Sequence, residues 1–244
     1  MVQLGKVLRA YGVIFLITLY TIVLGSLVII IWAITFGRRR FTEPLAPFWT
    51  RLLLWTSRVT VTVEGIEHLK PNERYVFIAN HQSQFDTPAC IFAIPLHLRI
   101  LAKKELFRIP FLGWGIAVVG HIKIDRENTD KALASIEKAV HRFTNEDISL
   151  LIFPEGTRSP DGKIHHFKKG GFALAIQSQH PVVPVTIIGS RAVLPKKSLI
   201  VNPGNIHVII DEPIPTTGLT FSDRDTLAKT VQEIIIKHFS RYDS

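Results

Sequence analysis

The chain has 244 residues, of which 47% are hydrophobic and 20% charged, with a net charge of +9 and a mean hydropathy of +0.24. A single cysteine excludes a disulfide scaffold and a cysteine-ligated zinc module. The hydropathy excludes a disordered chain, is high for an ordinary soluble domain, and with one long apolar segment does not describe a polytopic transporter.

Both excesses sit at the N-terminus. Residues 11–34 form 24 consecutive uncharged positions, more than the about 20 needed to cross a hydrocarbon core as a helix. Lys6 and Arg9 precede this run and Arg38, Arg39 and Arg40 follow it. Residues 1–60 hold 7 basic and 1 acidic side chain, and so carry +6 of the +9. The run is too long for a signal peptide, and three arginines stand where a small-residue cleavage site belongs. The expectation is a membrane-embedded helix whose arginine collar faces the cytoplasm and anionic headgroups. A second helix, about 43–57, carries Phe48, Trp49 and Trp55 beside Arg51 and suits the membrane interface. Residues 1–58 therefore read as an anchor and 59–244 as a separate α/β domain. Juxtamembrane charge with no recognised nucleic-acid motif argues against nucleic acid as a partner.

From residue 59 short apolar runs alternate with helical segments. Strands are expected at 59–65, 75–80, 99–102, 120–125, 148–153, 182–188 and 205–210. Helices are expected at 86–94, 129–143, 171–178 and about 222–239, the second having Ala132, Ile136, Ala139, Val140 and Phe143 on one face. This alternation implies an α/β fold: a central, mostly buried mixed sheet flanked by helices.

Polar clusters follow three of these strands, where α/β sheets gather ligand sites. The first is Asn80-His81-Gln82-Ser83-Gln84-Phe85-Asp86. A strand-to-helix turn folds Asp86 back onto the His81 ring; a carboxylate on one ring nitrogen leaves the other as a base for a substrate hydroxyl. A purely structural hydrogen bond uses the same two residues. Rival chemistries are weaker. Ser83 lacks a nucleophile elbow, and Cys90 falls in an apolar helix where cysteine is inert core. His81, Asp86, His165 and His166 lack the spacing of a metal site. The second cluster, Phe153-Pro154-Glu155-Gly156-Thr157-Arg158-Ser159, suits an anion, with backbone N–H groups, a hydroxyl and a guanidinium in reach. Lys103, Lys104 and Arg126 follow other strands and are candidates to converge on the same charge, solvated surface being the plain alternative.

These blocks resemble the glycerolipid acyltransferases, specifically the 1-acylglycerol-3-phosphate (lysophosphatidate) acyltransferase family. NHQSQFD matches the NHxxxxD block, GHIKIDR the second, FPEGTRS the third and VVPVTI the fourth, with AKKEL (102–106) and FKKGGF (167–172) also in keeping. Lys123 departs from the apolar or aromatic residue common in the second block. The resemblance spans about residues 59–210 and implies the glycerolipid acyltransferase fold, with His81 as general base oriented by Asp86. It implies that Lys103, Arg126 and Arg158 hold the acceptor phosphate, with Glu155 and Gly156 shaping the loop and Thr157 donating a hydrogen bond. The implied reaction moves an acyl chain from acyl-coenzyme A or acyl-carrier protein to the sn-2 hydroxyl of lysophosphatidic acid, giving phosphatidic acid without metal or cofactor. The alternatives are another acceptor, such as glycerol-3-phosphate or another lysophospholipid, and a non-catalytic lipid-binding protein. The apolar stretch 109–120, with Gly113, Trp114 and Gly115, is assigned to an acyl-chain groove, ordinary core packing being the alternative.

Overall fold

The computed structural model describes residues 2–125 and 140–242. Helix α1 (Val2–Ile34) is followed by α2 (Leu45–Ser57). Seven strands then alternate with helices: β1 (Val59–Glu64), β2 (Val76–Ala79), α3 (Asp86–Ala93), β3 (Leu98–Lys103), α4 (Leu112–Val119), β4 (Ile122–Ile124) and β5 (Ser149–Ile152). The chain continues through α5 (Gly170–Ser178), β6 (Val182–Ile188), α6 (Ser190–Val193), β7 (Gly204–Ile210) and α7 (Arg224–Tyr242). Most of the helix expected at 129–143 lies outside the described residues; positions 140–145 are helical.

The strands form one sheet in the order β1-β7-β6-β2-β5-β3-β4. Every pairing is parallel except β6 with β7, so the sheet is mixed as expected. Pro184 lies just before the β6–β7 ladder opens at Val185↔Ile210, so its missing N–H leaves no gap in that ladder. Alternate strand residues feed two cores. Phe77, Leu151, Val183 and Val185 meet α2 and α3 on one face. Val76, Ile78, Leu150 and Ile152 meet Phe172 and Leu174 of α5 and Val231 and Ile235 of α7 on the other. Strands buried on both faces read as unbroken apolar runs, which is why they stand out in the sequence.

Helix α1 lies against the rest of the protein along much of its length. Arg9 donates to the carbonyls of Val201 and Ser57 at 3.1 and 2.9 Å. The Trp49 indole donates to Thr21 Oγ1 at 2.9 Å. Near Gly25 a Cβ would meet the Phe111 carbonyl at 2.8 Å, so only glycine allows α1 and α4 to approach there. The other flank of α1 is exposed and apolar: Tyr11, Phe15, Leu19, Val23 and Ile30, with Phe48 and Trp55 of α2 also uncovered. Val7–Ile34 is long and apolar enough to cross a membrane.

Candidate active site

Strands β2, β3, β5 and β6 run parallel, so the loops at their C-terminal ends share one edge of the sheet. β2 is followed by Asn80, whose buried side chain pairs reciprocally with the Ile187 backbone, donating at 2.8 Å and accepting at 2.7 Å. This pair fixes where the chain leaves the sheet and where His81 begins.

The turn from His81 to Asp86 closes on one oxygen. Asp86 Oδ2 faces His81 Nδ1 at 2.7 Å and accepts the Gln82 and Ser83 N–H groups at 2.6 and 2.7 Å. Those amides precede α3, and a carboxylate in the first turn of a helix is favoured by the exposed N–H groups there. Asp86 is fully buried, while the His81 side chain is 16% exposed. Nδ1 is therefore committed to the carboxylate, and Nε2 is the nitrogen left for chemistry. The imidazole stacks on Phe153, centroids 4.2 Å apart and planes 20° off parallel. Position and tilt of the ring are both constrained.

The loop after β5 clasps this turn. Glu155 Oε1 accepts the His81 N–H at 2.7 Å and Oε2 accepts the His165 N–H at 3.1 Å. The His81 carbonyl accepts the Ser159 N–H at 2.8 Å. Burial pushes the Glu155 carboxyl above its ordinary range, and the two N–H donors pull against that shift. Gly156 adopts φ +74°, where a side chain is strained, and a Cβ there would meet Lys168 Nζ at 3.1 Å. Thr157 is exposed and Arg158 half-buried. Asp161 closes the far end, accepting the Lys163 N–H at 3.1 Å and facing His165 Nε2 at 2.8 Å. Those contacts hold the Asp161 carboxyl well below the usual carboxylate range, the Lys163 amide most of all.

Of the residues singled out in the sequence, the structure brings His81, Asp86, Glu155, Gly156, Thr157 and Arg158 into two interlocked loops. Lys103 ends β3 at the same edge, with Nζ 3.5 Å from Glu105. Lys104 pairs with Asp125 at 3.0 Å. Arg126 lies outside the described residues. Ser83 is fully buried and donates to the Leu194 carbonyl at 2.9 Å, so its hydroxyl braces the turn. Burial pushes the Cys90 thiol well above its ordinary value, in keeping with inert core. His165 is tied into the loop by Asp161 and Glu155. Gly113 is fixed by packing, since a Cβ there would meet the Phe107 carbonyl at 2.5 Å, whereas a Cβ on Gly115 would face Gly25 of α1 at 3.8 Å.

Three contributors escape sequence reasoning: Asn80 as the strand terminator, Phe153 as the platform for the imidazole, and Lys196. Lys196 Nζ donates to the Arg158 carbonyl at 2.5 Å and contacts Thr157 Oγ1 at 3.4 Å. Apolar Phe153 follows a buried strand and reads as core, while Lys196 is separated from Arg158 by 38 positions and lies in no motif.

The profile of the family described as Acyltransferase matches residues 60–188. A 1-acyl-sn-glycerol-3-phosphate acyltransferase of Limnanthes alba is 35% identical over 187 residues, 77% of this chain and 66% of that protein. The alpha form of Mus musculus is 32% identical over 194 residues, 78% of this chain and 68% of that protein. The chain thus spans about two thirds of the length of these curated relatives, and slightly less for the first. The crystal structure of the 1-acyl-sn-glycerophosphate acyltransferase PlsC from Thermotoga maritima superposes with a TM-score of 0.87 at 27% identity, covering 100% of this chain and 98% of that one. With more than half of its length matched by the profile and its whole fold shared with PlsC, the chain belongs to the Acyltransferase family.

Proposed function

We propose that this protein is a 1-acyl-sn-glycerol-3-phosphate acyltransferase that makes phosphatidic acid. The observation that carries this reading is the His81–Asp86 pair, clasped through Glu155 and Ser159 to the loop bearing Thr157 and Arg158. His81 Nε2 takes the proton of the acceptor's sn-2 hydroxyl as that oxygen attacks the thioester carbonyl. The tetrahedral oxyanion collapses, the C–S bond breaks, and the proton held by His81 passes to the departing thiolate. No acyl-enzyme forms. Asp86 steadies the imidazolium while it exists. Arg158 and Thr157, with Lys103 and Arg126, bind the acceptor phosphate, so that binding fixes the hydroxyl against the base. Acyl-coenzyme A and acyl-carrier protein both supply a suitable thioester.

The enzyme works at a membrane. The exposed apolar flank of α1, with Phe48 and Trp55, enters the hydrocarbon region. The arginines after α1 meet anionic headgroups on the cytoplasmic side, and the 59–244 domain faces the soluble thioester there.

The test is turnover of purified protein with acyl-coenzyme A or acyl-carrier protein and lysophosphatidic acid, glycerol-3-phosphate or lysophosphatidylcholine, products being identified by mass spectrometry. Phosphatidic acid formed from lysophosphatidic acid is the expected result, abolished in His81→Ala with circular dichroism unchanged. Free fatty acid alone would mean hydrolysis, product from another acceptor would reassign the substrate, and no turnover would leave a lipid-binding role.

A further inference from the structure

The segment after α6 is tied to both halves of the site. Ser83 of the catalytic turn donates to the Leu194 carbonyl at 2.9 Å. Two residues on, the Lys196 ammonium donates to the Arg158 carbonyl at 2.5 Å and lies 3.4 Å from Thr157 Oγ1. Lys196 is half-buried, so its charge is only partly screened by water. An ammonium has donors only, whereas a threonine hydroxyl has one proton and two acceptor sites. In this contact Thr157 Oγ1 must be the acceptor, and its own proton is left to point elsewhere.

We propose that Lys196 is a positioning residue for the acceptor phosphate, fixing the backbone at Arg158 and turning the Thr157 hydroxyl into a donor toward the phosphate. Two charge-related facts support this. The contact to the Arg158 carbonyl is a charge-assisted hydrogen bond, of the stronger class, and it acts on the residue whose guanidinium is assigned to the anion. Lys168 Nζ lies against Gly156, 3.1 Å from where a Cβ would be. The stretch 156–158 thus has two ammonium groups against it and carries a guanidinium of its own. Such crowding of like charge is relieved when a phosphate dianion arrives, which favours the occupied site over the empty one. The inference rests on the acceptor-phosphate reading and extends it to a residue outside the sequence blocks.

The experiment compares wild type with Lys196→Met, Lys196→Arg, Thr157→Val and the Lys196→Met/Thr157→Val double variant. It measures kcat, KM for lysophosphatidic acid, KM for the acyl donor, and the unfolding midpoint. Lys196→Met should raise the acceptor KM about tenfold or more, as loss of one hydrogen bond from the oriented Thr157 hydroxyl to the charged phosphate does. The donor KM should stay near wild type, and the unfolding midpoint should fall by no more than the loss of one hydrogen bond accounts for. Lys196→Arg should recover most of the loss. In the Thr157→Val background the Lys196 effect should shrink, because the shared hydroxyl is gone. With 1-acylglycerol, which has no phosphate, Lys196→Met should leave the low residual rate unchanged. A wild-type acceptor KM in Lys196→Met would overturn the proposal, as would equal losses with the phosphate-free acceptor. Strict additivity with Thr157→Val would overturn the hydroxyl's part. Wild-type protein that ignores lysophosphatidic acid refutes the acceptor reading itself, which keeps the two failures apart.

Discussion

Replacing Asp86 by asparagine separates the charge of the site from its geometry. Oδ2 receives all three donors of the turn, His81 Nδ1 and the Gln82 and Ser83 amides, whereas Oδ1 is buried without a hydrogen-bond partner. An asparagine has one favourable placement here, with its carbonyl oxygen where Oδ2 was, and its NH2 then takes the unpartnered position. The imidazole keeps its tilt and its tautomer and loses the negative charge opposite the imidazolium that forms during proton transfer. Two unit charges about 4 Å apart at an effective dielectric of about 20 attract by about 4 kcal/mol, so kcat should fall by about 10³. The acceptor KM should barely move, because ground-state contacts persist. The buried, unpaired NH2 should cost about 1–3 kcal/mol of stability. Asp86→Ala also strands both buried amides and frees the ring, so it should lose activity to the level of His81→Ala and unfold at a lower temperature than Asp86→Asn. The assay is thiol release from acyl-coenzyme A at saturating acceptor, with unfolding followed in parallel. Asp86→Asn turnover within tenfold of wild type would refute the claim that this carboxylate stabilises the imidazolium.

Arg158→Ala should raise the acceptor KM about tenfold or more while sparing kcat, by loss of charge-assisted bonds equal in ground and transition states; steady-state kinetics showing neither parameter changed would remove Arg158 from the phosphate site. Burial, with Arg99 and Arg142 nearby, pulls His121 from its ordinary value of 6.5 down to about 3, so in the folded protein it stays neutral while in the unfolded chain it takes up a proton. Stability tied to it is present above pH 6.5 and lost as pH falls toward 3, about 2 kcal/mol between pH 7 and 5. His121→Asn should flatten that part of the unfolding-versus-pH curve, and an unchanged slope would contradict the assignment. Gly115→Leu, placed where a Cβ would lie 3.8 Å from Gly25, should shift donor preference toward shorter chains; product analysis with acyl-coenzyme A of several lengths showing no shift would exclude 109–120 from an acyl groove.

All seven strands were legible, β2, β3, β5 and β6 as short apolar runs buried on both faces and β1 by its alternation of buried and exposed residues, and their ends fall within one or two residues of expectation. Strand order was not, since an unbroken apolar run carries no alternation to specify its neighbours. Helix α1 begins at Val2, well before the uncharged run, because Arg9 finds two carbonyls to bind and need not terminate the helix. Helix α4 was hidden by Gly113 and Gly115, both poor helix formers, of which Gly113 is needed because the Phe107 backbone comes close. At the site, His81 and Asp86 were legible since a turn of that length returns one to the other. The bonds of Asn80, Glu155 and Lys196 were not, because their partners are mostly backbone atoms, which every sequence carries alike.

The carboxylate of Glu155 has a consequence for how this enzyme can diverge. One side chain holds the backbone of His81 with one oxygen and that of His165 with the other. The turn carrying His81 and the loop carrying Arg158 are thereby a single mechanical part, with this carboxylate as one rivet beside the Ser159–His81 backbone bond. A change of acceptor achieved by remodelling 155–165 must leave that rivet in place or disturb the base as well. Grafting a relative's recognition loop into this chain should therefore succeed only when the donor's 80–86 turn is carried across with it.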